Sequence, residues 1–135
     1  MRRSTGKPAT CTFATVREVG LALPGVEAAT KYDGSPVLKV GGSFMAGLAT
    51  HPSAEPETLV VRVTFEDRAW LLEDAPDIYY VTDYYRRYPV VLARLSRMDP
   101  RALRDLLSGS RRLALAKTRI RPRKPAARQG PPDSP

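Results

Sequence analysis

Between Glu27 and Val63 every apolar run is cut short by glycine or proline. Pro36 to Val40 ends at Gly41-Gly42, Ser43 to Ala49 ends at the loop His51-Pro52-Ser53-Ala54-Glu55-Pro56, and Thr58 to Val63 reads TLVVRV. Such short pieces, the last of them rich in β-branched residues, suit a pleated surface better than a helix, so they read as strands. A glycine pair between two apolar runs is a hairpin signal, because a tight hairpin turn needs positive φ. With a further extended piece around Ala29 to Tyr32 and a turn at Asp33-Gly34, the simplest arrangement is four antiparallel strands in a meander.

Helices flank that meander. Phe13, Val16, Val19 and Leu23 recur near helical spacing with Arg17 and Glu18 opposite, which predicts a first helix from about residue 13 to 22, capped by Thr12 and stopped before Pro24-Gly25. Thr64 and Asp67 form a capping box with Asp in place of Glu; Phe65, Ala69, Trp70 and Leu72 then give a second helix an apolar face, with Trp70 in the core and an end near Asp74-Ala75-Pro76. Ile78 to Thr82 reads as extended, Asp83 to Arg87 as a short turn or helix, and Pro89 to Leu95 as a strand. Asp99-Pro100 pairs a capping carboxylate with proline at the first helical position. Leu103, Leu106 and Leu107 line the core face of that helix, Gly109 is its expected stop, and Ser110 is the expected cap of a last short helix from Arg111 to Lys117. This order predicts the α+β class: a two-layer domain with an antiparallel sheet and helices packed on one face.

The formal charge of +8 is concentrated at the ends of the chain. Residues 13 to 118 hold 14 Lys and Arg against 13 Asp and Glu, while residues 1 to 12 add Arg2, Arg3 and Lys7, and residues 119 to 135 add Arg119, Arg121, Arg123, Lys124 and Arg128 against Asp133. At 135 residues the expectation is one domain, 13–118, between two basic tails, 1–12 and 119–135. From Arg121 the chain reads RPRKPAARQGPPDSP, too poor in apolar side chains to offset the entropy of ordering, so that end is expected to be disordered. Such a tail can hold polyanions without sequence preference, or it can serve solubility alone. Cys11 is the single cysteine, which excludes an internal disulfide and a CxxC site and fits a reducing compartment. Arg2-Arg3 is followed by polar STGKPAT where an export signal needs an apolar stretch, and no run approaches a membrane span, so the expected location is the cytoplasm.

Motifs for chemistry are sparse. No GxSxG elbow, GxxxxGK[ST] phosphate loop or GxGxxG occurs; Gly41-Gly42-Ser43 sits where a hairpin turn is expected. Cys11 and His51 lie in unrelated segments, His51 reading as a loop histidine, so neither a zinc site nor any other cofactor is expected. Glu66, Asp67, Glu73, Asp74 and Asp77 crowd one region, as acids at helix ends commonly do. An enzymatic role would need a deep concave site holding two of the acids near Asp74 and Asp77.

Five of the six tyrosines fall within Tyr79 to Tyr88, interleaved with Arg86 and Arg87. Rings among guanidinium groups can stack on bases and neutralise phosphates, or they can wedge a loop against a sheet. In a strand, period two separates Tyr80 from Tyr79 and Val81, so one set must be buried; in a helical turn Tyr84 and Tyr88 share a side. Tyr85, Arg86 and Arg87 are then best placed for an outside partner.

Residues 13 to 118 also resemble the MmcQ/YjbR family of small bacterial proteins. The resemblance rests on Ala22-Leu23-Pro24-Gly25-Val26-Glu27, Gly34-Ser35-Pro36, Val40-Gly41-Gly42-Ser43-Phe44-Met45, Arg68 with Leu71-Leu72, and Tyr80-Val81-Thr82-Asp83-Tyr84-Tyr85 with Tyr88-Pro89, Val91-Leu92 and Leu95. It implies a fold like the frataxin-like CyaY proteins and a DNA-binding role attributed to a double-wing arrangement of sheet and loops. The chain departs from the family's pattern at Ser110-Arg111, where an Ala-Trp pair is usual, and at Tyr84, where a His is frequent; loss of the tryptophan predicts a loosely packed last helix. The resulting expectation is a non-enzymatic, sequence-tolerant DNA-binding protein using Tyr85, Arg86, Arg87, Arg62 and Arg94 on the domain and Arg119, Arg121, Arg123 and Lys124 in the tail. The rival reading is a protein-interaction domain that presents a sheet face or edge to a partner chain.

Overall fold

The computed structural model describes the backbone of residues 11–120, with side chains through Ala116. Its elements are α1 (Phe13–Leu21), β1 (Val26–Thr30), β2 (Pro36–Val40), β3 (Ser43–Leu48), β4 (Thr58–Arg62), α2 (Phe65–Asp74), β5 (Tyr79–Tyr80), α3 (Asp83–Arg86), β6 (Val90–Arg94) and α4 (Pro100–Ile120). The six strands form one antiparallel sheet in the order β1-β2-β3-β4-β6-β5. The expected meander makes up its first four strands. At the β2–β3 turn Gly41 and Gly42 have φ of 58° and 81°, a conformation a side chain would resist.

Period two sorts the strand residues between two cores. Leu38, Val40, Met45, Leu59, Val61, Val91 and Ala93 face the helix layer, where they meet Val16 of α1 and Leu103, Leu107 and Ala114 of α4. Val37, Phe44, Val60, Val90 and Leu92 face the other way and are covered by Tyr85 of α3, with Ala49, Ala54, Tyr80, Val81 and Tyr88 around it. The fold is therefore α+β, with α1, α2 and α4 on one face of the sheet and a thin lid of loop and α3 on the other.

The first strand lies at Val26–Thr30, earlier than the piece expected around Ala29 to Tyr32, and three further expectations are corrected. Cys11, assigned to a flexible tail, is fully buried: its N–H donates to Leu95 O at 3.1 Å and its thiol reaches Met98 O at 3.5 Å, so the domain begins at least two residues earlier. The helix expected to stop at Gly109 runs unbroken to Ile120. A mid-helix glycine costs about 1 kcal/mol, less than is gained by burying Leu107 before it and Ala114 after it. Ser110, expected to be a cap, lies within the helix at 1% exposure and donates to Met45 O at 2.8 Å, while Arg111 Nε donates to Pro24 O at 2.7 Å. The Ser110-Arg111 pair thus ties α4 to β3 and to the turn between α1 and β1, and the helix is not loosely packed. The third correction is Trp70, expected in the core and 67% exposed; α2 has no fully buried residue. No helix among the described residues is long and apolar enough to cross a membrane.

Candidate nucleic-acid interface

The tyrosine window folds as a wedge. Tyr79 enters the helix-side core, and Tyr80 leans over the opposite face, its hydroxyl accepting from Glu55 N–H at 2.8 Å and meeting the Thr58 hydroxyl at 2.6 Å. Tyr85, placed among the candidate contacts, is 1% exposed, and its hydroxyl accepts from His51 N–H at 3.4 Å. It cannot touch a nucleic acid without unfolding its surroundings. Its neighbour Tyr84 is the accessible ring, stacked face to face on His51 with centroids 3.6 Å apart and planes 12° from parallel. His51 is thus more than a loop histidine. Its Nδ1 accepts from Ser53 N–H at 3.0 Å and lies 2.9 Å from the Ser53 hydroxyl, which is itself 2.9 Å from Thr82. Because the backbone N–H can only donate, the neutral ring carries its proton on Nε2.

The arginines chosen from the sequence are mostly engaged and do not converge. Arg94 donates from Nε and Nη2 to both carboxylate oxygens of Glu55 at 2.9 Å and from Nη1 to the carbonyls of Pro76 and Asp77, with its guanidinium 4.3 Å from the Tyr80 ring centroid. Arg62 donates from Nε to Phe44 O at 2.8 Å. Arg62 pairs with Val90 and Arg94 with Thr58, so the two sit at opposite ends of the β4–β6 ladder. Arg86 is ion-paired with Asp83 at 3.0 Å. Arg87 is exposed, its guanidinium 6.0 Å from the Tyr88 ring. Arg119 falls on the α4 backbone with its side chain outside the described set, and Arg121, Arg123 and Lys124 lie outside the described residues.

Two features escaped the sequence reading. Arg68 of α2 donates from Nη1 to Tyr88 O at 3.0 Å and Val90 O at 3.2 Å, and from Nη2 to Arg86 O at 3.0 Å, which fixes the path from α3 into β6. The second feature is the charge of α4. Residues 11 to 99 hold nine Lys and Arg against twelve Asp and Glu, whereas residues 100 to 120 hold six against Asp105 alone. Near-neutrality over the domain therefore conceals an acidic body carrying one basic helix. Leu103, Leu107, Ser110 and Ala114 bury the inner face of α4, which leaves Arg101, Arg104 and Arg112 exposed; among the described residues these three form no ion pair or hydrogen bond.

The acids near the end of α2 line an open groove of about 640 Å³ that includes Asp74, Asp77, Asp99 and Arg97. Among the described residues no group of three or more His, Cys, Asp and Glu is placed to hold a metal ion.

Burial pushes the phenols of Tyr79 and Tyr85 above their ordinary pKa, and the charges of Asp74 and Asp99 push Tyr79 further. A raised folded-state value favours the neutral phenol, so this stabilisation is complete below the unfolded value near about 10 and is lost as pH rises through the folded values. Melting temperature is expected to hold up to about pH 9 and to fall above about pH 10, with tyrosinate absorbance appearing in step with unfolding. Tyrosinate absorbance saturating at ordinary pH in the folded protein would contradict this.

The crystal structure of Deinococcus radiodurans protein DR2400, with a DUF419 family-model domain, has a similar fold, with a TM-score of 0.65 and 24% identity over 84% of each chain. At this identity the likeness establishes the fold alone. No protein-family model matches the chain, and no curated protein does.

Proposed function

We propose that this chain is an MmcQ/YjbR-type protein, non-enzymatic and cytoplasmic, that binds DNA with little sequence preference through the outward face of α4 and the cations that follow it. The fold shared with a DUF419 domain, itself related to the MmcQ/YjbR fold, supports the family reading. The observation that carries the DNA reading is the segregation of charge onto α4. Arg101 to Arg112 covers about 16 Å of helix axis, and Arg119, Arg121, Arg123, Lys124 and Arg128 extend the basic run. Duplex DNA carries a charge every ~1.7 Å, so a row of unpaired guanidinium groups can displace several condensed counterions at once. The acidic remainder of the domain repels the duplex, which orients the approach.

Titrating duplex DNA over a salt series tests the reading. If about four phosphates are neutralised, log K falls against log salt with a slope near −3.6. Removing two contacts in R101Q/R104Q is expected to flatten the slope by about 1.8, and a chain ending at Lys117 is expected to flatten it as well. R86Q/R87Q is expected to leave it unchanged. No binding, or a slope indifferent to Arg101 and Arg104, would overturn the proposal.

A further inference from the structure

A groove of about 720 Å³ runs between α2 and α4, with Arg112 at the border it shares with the outward face of α4, and its volume lies in the range of small-molecule sites. Val63, Trp70, Leu71, Leu106 and Leu113 supply apolar walls. Trp70 offers a largely exposed indole, a flat surface suited to stacking. Tyr79 also lines the groove; it is 7% exposed, and its hydroxyl makes no hydrogen bond with any described residue. With no acceptor among the described residues, the hydroxyl is left to whatever enters the groove, so a ligand acceptor can take the place of solvent there.

The charges around the site narrow the class. Arg62 and Arg112 at the rim are balanced by Asp67 and Asp105, so the rim selects no net charge. Burial, then the fields of Asp74 and Asp99, hold the Tyr79 phenol in its neutral, donating form, and the same two acids disfavour an anion beside it. We infer that the groove binds an uncharged, flat aromatic molecule bearing a carbonyl group, with its rings on Trp70 and the leucines and its carbonyl oxygen accepting from the Tyr79 hydroxyl.

Trp70 is the chain's single tryptophan, so its fluorescence reports on the site directly. The full chain would be titrated with 2-acetylnaphthalene, with naphthalene as the analogue without an acceptor and 2-naphthoate as the anion, and ¹H–¹⁵N spectra would locate the response. The ketone is expected to saturate and to bind about 5–10-fold more tightly than naphthalene, the worth of one neutral hydrogen bond, with naphthoate weaker than the ketone. Tyr79→Phe should bring the ketone to the level of naphthalene and leave naphthalene unchanged. Equal binding of ketone and naphthalene by the unsubstituted protein would overturn the inference, whatever the variant does. So would naphthoate binding as tightly as the ketone, absence of saturation, or shifts away from the groove.

Discussion

Tyr85→Ala is expected to destabilise the fold by about 3–5 kcal/mol, the usual cost of truncating a fully buried aromatic side chain. Tyr85 is the largest fully buried side chain of the domain and forms the centre of the cluster that covers the outer face of the sheet. Without its ring, Val37, Val60 and Leu92 lose their cover, and the His51 loop loses its anchor on the phenol. Tyr85→Phe keeps the ring and removes only the acceptor for the long His51 contact, so its cost should stay near 1 kcal/mol or below. Urea unfolding of the two variants checks the contrast. If Tyr85→Ala were nearly as stable as the unsubstituted protein but weakened DNA binding, the residue would be a contact and its structural role would be refuted. The expected result is the reverse: a lower melting temperature, by roughly 15 °C, and unchanged DNA affinity where the variant remains folded.

Arg68→Ala is expected to cost about 2–3 kcal/mol, because three backbone carbonyls lose a charged donor together. Tyr88 and Val90 flank the entry to β6, and Arg86 closes α3, so one side chain of α2 holds the lid to the sheet edge. Its guanidinium also lies 4.9 Å from the Phe65 ring centroid, which keeps the planar group oriented. Lysine presents a single ammonium where the fork serves two separate directions, so Arg68→Lys should recover only about half of the loss. Hydrogen exchange at Tyr88 and Val90, whose own N–H groups bond within this turn, should accelerate in both variants and more in the alanine. Unchanged exchange there would show that the path from α3 into β6 is fixed without Arg68.

Particular residues explain how much of this was legible in the sequence. Gly41-Gly42 marked its hairpin because only glycine adopts such φ values freely. Thr64 accepts from Asp67 N–H at 2.9 Å and Asp99 from Ala102 N–H at 2.8 Å, so both helix starts were written as short-range hydrogen-bond chemistry. The candidate site was less legible. Tyr85, Arg62 and Arg94 have the residue types of a nucleic-acid contact, but Glu55 reaches Arg94 from 39 residues away and His51 reaches Tyr85 from 34. Trp70 misled in the other direction: its helical phase suits a core position, yet α2 lies at the margin of the layer and leaves the indole in solvent.

The sequence by itself determined the three later strands of the meander, the caps at Thr64 and Asp99, the hairpin turn and the α+β class, because turn conformations, capping hydrogen bonds and side-chain alternation act over a few residues. Only the tertiary structure decided that α4 continues through Gly109, that Cys11 is core, and that Arg101, Arg104 and Arg112 stand exposed on one helix. Those outcomes depend on which faces meet across long stretches of chain, and burial of Ser110, Ala114 and Cys11 against distant partners outweighs the local preferences that pointed elsewhere.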